Sequence, residues 1–209
     1  VTGQVSRSPW PGSLAAGGAL LVGAWLLAGG GHGGPLGPDG SQAMDDATTA
    51  ALLVPPRPYA VPTRIRIPAL GVDAPVAALG LDVGGRLETP AEHDRNLTGW
   101  YRDGVTPGQR GTAIMAGHVD IASGPAVFYG LGTLHKGDQV EVDGADKGTG
   151  YFTVDGVESF AKTDFPDTRV YGQRADSQLR LITCGGGFSA AHGWDANVVV
   201  FAHLVRSVT

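Results

Sequence analysis

Leu179-Arg180-Leu181-Ile182-Thr183-Cys184-Gly185-Gly186-Gly187 is the stretch on which the reading of this chain turns. An apolar, β-branched run closed by three glycines reads as a buried strand entering a turn. The period of two puts Arg180, Ile182 and Cys184 on one face and Leu179, Leu181 and Thr183 on the other. Cys184 therefore ends its strand. Working outward, similar runs recur between Gly, Pro and Asp clusters: Thr63 to Ile67, Pro75 to Leu79, Thr112 to His118, Gln139 to Val142, Tyr151 to Val157 and Asn197 to His203. Short strands at near-regular spacing predict an all-β barrel or sandwich. Helix is confined to single turns, at Asn96 to Tyr101 and Phe128 to Leu134. In the run Thr112 to His118, the histidine closes a strand on the face of Ile114 and Ala116.

Composition removes several classes of function. The 209 residues include one cysteine, which excludes an intrachain disulfide framework and a cysteine-based zinc site. Net charge is −5 with only 15 Lys and Arg, so no basic surplus exists to neutralise a phosphate backbone. Nucleic acid is not an expected partner, and no pattern calls for a metal or cofactor. His32, alone among glycines, has no second ligand beside it.

The chain divides into three parts. Residues 1–31 read as a signal anchor or signal peptide with a short flank. Leu14 to Gly30 carries no charge, and extension back to Trp10 gives about 21 residues, roughly 31 Å of helix, one hydrocarbon thickness. Arg7 is the only charge before it and points the N-terminus to the cytoplasm. The alternative is a cleaved signal, after which the rest is secreted. Residues 32–62 form a Gly/Pro-rich tether, with prolines at 55, 56, 58 and 62 favouring extended chain. Residues 63–209 are the folded domain, long enough for one core.

Export makes a lone thiol conspicuous, because an unpaired cysteine in an oxidising compartment is a liability unless used. An ordinary thiol is only a few per cent thiolate at neutral pH, so a nucleophilic Cys184 needs a neighbouring imidazolium or other cation. His118 offers it from another strand end. His32, His135 and His203 read as exposed residues, whereas His93 and His192, in loops, stay open as partners. The glycines after Cys184 allow close approach of a substrate backbone and offer N–H groups where an oxyanion would form.

The segments Ala116-Gly117-His118-Val119-Asp120 and Leu179 to Gly186, followed by Asn197-Val198-Val199-Val200-Phe201-Ala202, resemble a sortase, most closely the actinobacterial class F group. Arg64-Ile65-Arg66-Ile67-Pro68 and Val127-Phe128-Tyr129-Gly130-Leu131 extend the similarity over about residues 60 to 205. The resemblance implies a closed eight-stranded β-barrel in which Cys184 attacks the Thr–Gly bond of an LPXTG-like sorting signal. A thioacyl enzyme forms, and an amine from cell-wall precursor or a pilin lysine resolves it. His118 would pair with Cys184 or protonate the departing amine, and Thr183 would face or support the peptide groove. The implied partners are secreted proteins bearing a C-terminal sorting signal. The implied location is the membrane, with the catalytic domain outside.

One departure from that family stands out. Sortases generally carry an arginine on or just before the strand after the cysteine, yet residues 185 to 205 contain none. Arg180 is the nearest substitute, on the cysteine's face but about 13 Å along the strand. Backbone N–H groups of Gly185, Gly186 and Gly187, or the Asn197 amide, are the other candidates for the lost donor. Asp120 reads as a turn cap and Trp194 as a packing residue. A competing reading is a non-catalytic, surface-anchored barrel that binds peptide or wall polymer and keeps Cys184 as a core residue. A papain-like peptidase is disfavoured, since that fold places Cys at a helix start and His later in the chain.

Overall fold

The computed structural model describes residues 54–209. The apolar segment expected within residues 1–31, and most of the tether, lie outside the described residues. Ten strands carry the fold: β1 (Pro62–Ile67), β2 (Val72–Leu79), β3 (Thr98–Tyr101), β4 (Gly111–Gly117), β5 (Asp120–Ile121), β6 (Gly124–Pro125), β7 (Gln139–Gly144), β8 (Thr149–Ala161), β9 (Ser177–Ser189) and β10 (Gly193–Val208). One short helix, α1 (Asp167–Tyr171), lies between β8 and β9. Eight strands close into a barrel in the order β1-β2-β3-β4-β9-β10-β8-β7, and β5 and β6 form a separate ribbon. Of the two all-β architectures expected, the chain adopts the barrel. Closure leaves the barrel sheet itself without an open edge.

Alternation along the strands separates two apolar clusters. Leu179 and Leu181 of β9 point inward with Met115, Phe152, Val198 and Val200. Ile182 points outward, against Ile114, Val170, Val199 and Phe201. Each fully buried side chain of this size contributes about 1.5–3 kcal/mol relative to exposure. The inner set holds the barrel; the outer set lines the wall that carries Cys184.

The seam between β7 and β1 closes the barrel and is tied by charge. Arg66 donates to Glu141 at 2.9 Å and to both oxygens of Asp143, at 2.6 and 2.8 Å. Hydrogen bonds from Arg66, and then from Thr149, hold the Asp143 carboxyl below the usual carboxylate range.

Three local expectations change. Thr98 to Tyr101 is a strand, not a helical turn: β3 pairs in parallel with β2 and antiparallel with β4. Thr98, Gly99 and Trp100 are all buried, so no alternation marks the strand in sequence. β9 does not stop at Cys184 but runs on to Ser189, paired with β10 as far as Gly193. The glycines continue a hairpin because Gly186, at φ +83°, takes a left-handed conformation beside a register shift in the pairing. Finally, residues 54–61 lie on the barrel. Val54 packs on the inner cluster, and Arg57 is buried with its guanidinium on Asp146 at 3.0 and 3.1 Å. The turn expected at Phe128 to Leu134 contains a 3-10 helix at Leu131–Thr133.

Candidate active site

Cys184 sits within β9 on the outer wall, half-buried and outside both apolar clusters. Its register partner on β10 is Asn197. Directly opposed residues of an antiparallel pair share a face with Cβ atoms about 4.5–5.5 Å apart, so the Asn197 amide stands beside the thiol.

His118 follows the last residue of β4. β4 runs parallel to β9 and pairs residue for residue up to Ala116 with Ile182. Two residues further along each strand are His118 and Cys184, and alternation puts both on the face of Ile114 and Ile182. The ladder ends before them, but the Thr183 hydroxyl donates to the Gly117 carbonyl at 2.8 Å and keeps the strands together one step longer. Thr183 is buried on the opposite face from Cys184, so it supports the site from beneath. Gly117 also permits the close packing here: a Cβ on it would lie 2.6 Å from Phe128 Cδ2 and 2.8 Å from Val127 Cγ1.

Pro90, a residue with no signal in the sequence, orients the imidazole. Its carbonyl oxygen lies 2.7 Å from His118 Nε2. A carbonyl only accepts, so the network assigns the proton of the neutral ring to Nε2 and leaves Nδ1 as the basic atom. His93, His135 and His192 are exposed, and His203 pairs with Asp155 at 2.7 Å.

Arg180 shares the outer wall with Cys184 but is turned to other partners. It is 1% exposed, its guanidinium lies 4.6 Å from the Phe201 ring centre, and Nη1 donates to Gln178 Oε1 and the Leu179 carbonyl at 3.0 Å each. Gln178 lies further from Cys184 along β9 than Arg180 does. Burial, and then the charge of Arg174, pushes the guanidinium down to about 10.

The glycine N–H groups are also less free than the sequence implies. Gly185 is buried and registered against Ala196, and Gly187 N–H donates to Asp195 Oδ1 at 2.8 Å. Asp120 and Trp194, read separately from sequence, bond to one another: Trp194 Nε1 donates to Asp120 Oδ1 at 3.0 Å. That bond docks the β9–β10 hairpin on the segment just after His118. The cation at the thiol is Lys162, at the end of β8, whose Nζ lies 3.6 Å from Cys184 Sγ. Sequence reading missed it because Lys162 is remote from the cysteine along the chain and carries no motif.

A shallow cavity of about 890 Å³ on the α1 flank, lined by Phe165, Asp167, Arg169, Gly172 and Arg174 among others, includes neither Cys184 nor His118. Among the described residues, no group of three His, Cys, Asp or Glu side chains is placed to hold a metal ion.

A thiol with an ammonium 3.6 Å from its sulfur, and an imidazole at the end of the neighbouring strand, form the candidate site on the outer wall of the closed eight-stranded barrel. The sortase-domain family pattern matches residues 65–205, and the chain belongs to the sortase family of cysteine transpeptidases. Solved structures of several sortase classes share the fold. Sortase A of Listeria monocytogenes is 18% identical with a TM-score of 0.52, over 73% of this chain and 92% of that one. The SrtA sortase from Actinomyces oris is 19% identical with a TM-score of 0.53, over 77% and 89%. Sortase C1 from Streptococcus suis is 17% identical with a TM-score of 0.54, over 72% and 75%. No curated protein sequence matches.

Proposed function

We propose that this chain is a class F-type sortase that cleaves an LPXTG-like sorting signal between Thr and Gly and transfers the acyl part to a cell-wall or pilin amine. The observation that carries the reading is the arrival of Cys184 and His118 at the same end and face of the β4–β9 pair. The thiol also lies outside the packed clusters, which disfavours a purely structural cysteine.

In this reading His118 takes the thiol proton at Nδ1, the ring nitrogen that the Pro90 carbonyl leaves free. The thiolate adds to the threonine carbonyl carbon, and collapse breaks the C–N bond to glycine. His118 returns the proton to the departing amine. The incoming amine then attacks the thioester and gives a proton to His118; the C–S bond breaks, the new amide forms, and the Cys184 sulfur recovers the proton from His118. Asn197, the register partner of Cys184, would donate to the carbonyl oxygen as it becomes charged.

The class F assignment rests on the sequence resemblance. The apolar run from Trp10 to Gly30 supports a single-pass membrane anchor with the barrel outside, or a secreted form if that segment is cleaved. Its substrates would be secreted proteins with C-terminal sorting signals.

The direct test is to trap the acyl-enzyme with a panel of sorting-signal peptides and locate the adduct by mass spectrometry. An acyl group on Cys184 is expected, lost with Cys184→Ala and reduced by several orders of magnitude with His118→Ala. Full cleavage by the Cys184→Ala protein would remove the assignment.

A further inference from the structure

We propose that Lys162 is the cation of this active site: its ammonium sits on the Cys184 sulfur, favours the thiolate, and thereby sets the reactivity of the nucleophile. The inference deepens the transpeptidase reading and rests on it for the catalytic consequence, though not for the effect on the thiol.

The geometry begins with strand order. β10 lies between β8 and β9, so the end of β8 is two strands, about 10 Å, from Cys184. The last pair of the β8–β10 ladder at this end is Ala161 with Ala196, next to the Asn197–Cys184 pair on the other side of β10. Phe160 is registered against Asn197, and alternation places Lys162, two residues on, on that same outer face. The long, flexible lysine stem then spans β10 and brings Nζ to 3.6 Å from the thiol sulfur.

The basic residues of α1, β9 and β10 are engaged elsewhere. No Lys or Arg occurs from 185 to 205. Arg180 is held by Gln178 and the Phe201 ring, Arg169 by Glu158 and the rings of Phe160 and Phe201, and Arg206 lies 3.9 Å from the Tyr151 ring centre. Among the described residues Lys162 forms no ion pair with a carboxylate, so its charge is not already neutralised at close range. A lysine beside a cysteine favours the thiolate by direct attraction. The Asn197 amide cannot do this, because it carries no charge.

Because Cys184 is the only cysteine, alkylation of the full chain by iodoacetamide reports this thiol alone. Other titratable groups at this end of the barrel are His118 and Asp120 after β4, Glu92 and His93 beside Pro90, Asp164 on the Lys162 turn, His192 at the hairpin tip and Asp195 on β10. They are common to the wild type and the variants, so the comparison isolates the lysine. In Lys162→Met the alkylation profile should move to higher pH, with neutral-pH alkylation slower by about threefold to tenfold. Lys162→Arg should keep most of the wild-type profile. In the peptide assay kcat should fall by about tenfold or more in Lys162→Met with KM little changed. The exposed position of Lys162 makes loss of folding an unexpected cause, and an unchanged Tm checks this.

An identical alkylation profile in Lys162→Met would overturn the proposal. So would an acyl group recovered as a hydroxylamine-resistant amide on Lys162, which would make the residue an acceptor and not a resident cation. A shifted profile in a protein that cleaves no sorting peptide would leave the cation assigned and remove the transpeptidase reading instead.

Discussion

The Thr183 hydroxyl donates a 2.8 Å hydrogen bond to the Gly117 carbonyl, joining the residue before Cys184 to the residue before His118. Because both groups lie in the barrel interior, the bond is shielded from water and positions the two strand ends from beneath the catalytic face.

Thr183→Val keeps the side-chain shape but leaves a buried carbonyl without this donor, which costs about 1–3 kcal/mol. A lower Tm is expected, together with a larger relative loss in kcat than in KM, because the histidine and thiol lose their common support. Thr183→Ser should recover both. Thermal melts and peptide kinetics on the same preparations check it.

Arg180 carries a buried charge whose guanidinium is pushed down to about 10 by desolvation. A base with its folded-state value depressed is penalised while charged, and the penalty lifts as pH rises through that value. As pH rises above about 10 this group therefore makes folding relatively more favourable. Replacing a poorly compensated buried ion by an apolar side chain of similar volume is neutral or stabilising, by up to about 4 kcal/mol. Arg180→Met is accordingly expected to hold or raise the urea midpoint at pH 7 and to change peptide turnover by less than about threefold. A large loss of turnover at unchanged stability would give Arg180 a direct part in the reaction.

Arg57 has 3% of its side chain exposed and one carboxylate partner, Asp146, with 34%. Asp146→Ala leaves the buried guanidinium without that partner, and a loss of about 1–3 kcal/mol is expected. The site lies apart from Cys184, so alkylation of the thiol below the melting range should not change.

Two titrating pairs give stability opposite pH dependences. Asp143, held low by Arg66, contributes stability above the unfolded carboxylate value near 3.8 and loses it as pH falls through the lower folded value. Asp143→Asn should therefore lower Tm at pH 5–8, by the equivalent of about 1 kcal/mol, and converge with wild type in strong acid. His203 is raised above 6.5 chiefly by its hydrogen bond to Asp155. Its contribution is complete below 6.5 and lost as pH rises through the folded value. The Tm difference between wild type and His203→Gln should be larger near pH 6 than near pH 8.5.

Much of this architecture is legible in one dimension. The alternation in Leu179 to Cys184 separates two faces, and the structure puts Leu179 and Leu181 inside and Ile182 outside. Seven of the barrel strands are foreshadowed by apolar runs. β3 is not, because Thr98, Gly99 and Trp100 are buried in succession and show no period, and Thr98-Gly99-Trp100-Tyr101 reads equally well as a turn of helix. The length of β9 was also hidden: three glycines signal a turn, yet pairing with β10 carries the strand through them.

The sequence by itself determined the strand periodicity, the single thiol, a histidine at another strand end and the absence of a cation on the strand after the cysteine. Those are properties of neighbours along a chain, set by period and composition. Tertiary structure decided the parallel pairing that brings β4 against β9, the Pro90 carbonyl on the imidazole, the Trp194–Asp120 bond, and the choice of Lys162 over Arg180 at the sulfur. Each joins residues remote in the chain, and only barrel closure and strand register fix which of them meet. Arg180 is nearer to Cys184 in sequence, but along one strand its distance is fixed and its partners lie the other way. Lys162 is farther in sequence, and closure sets it across one strand, within reach of the thiol.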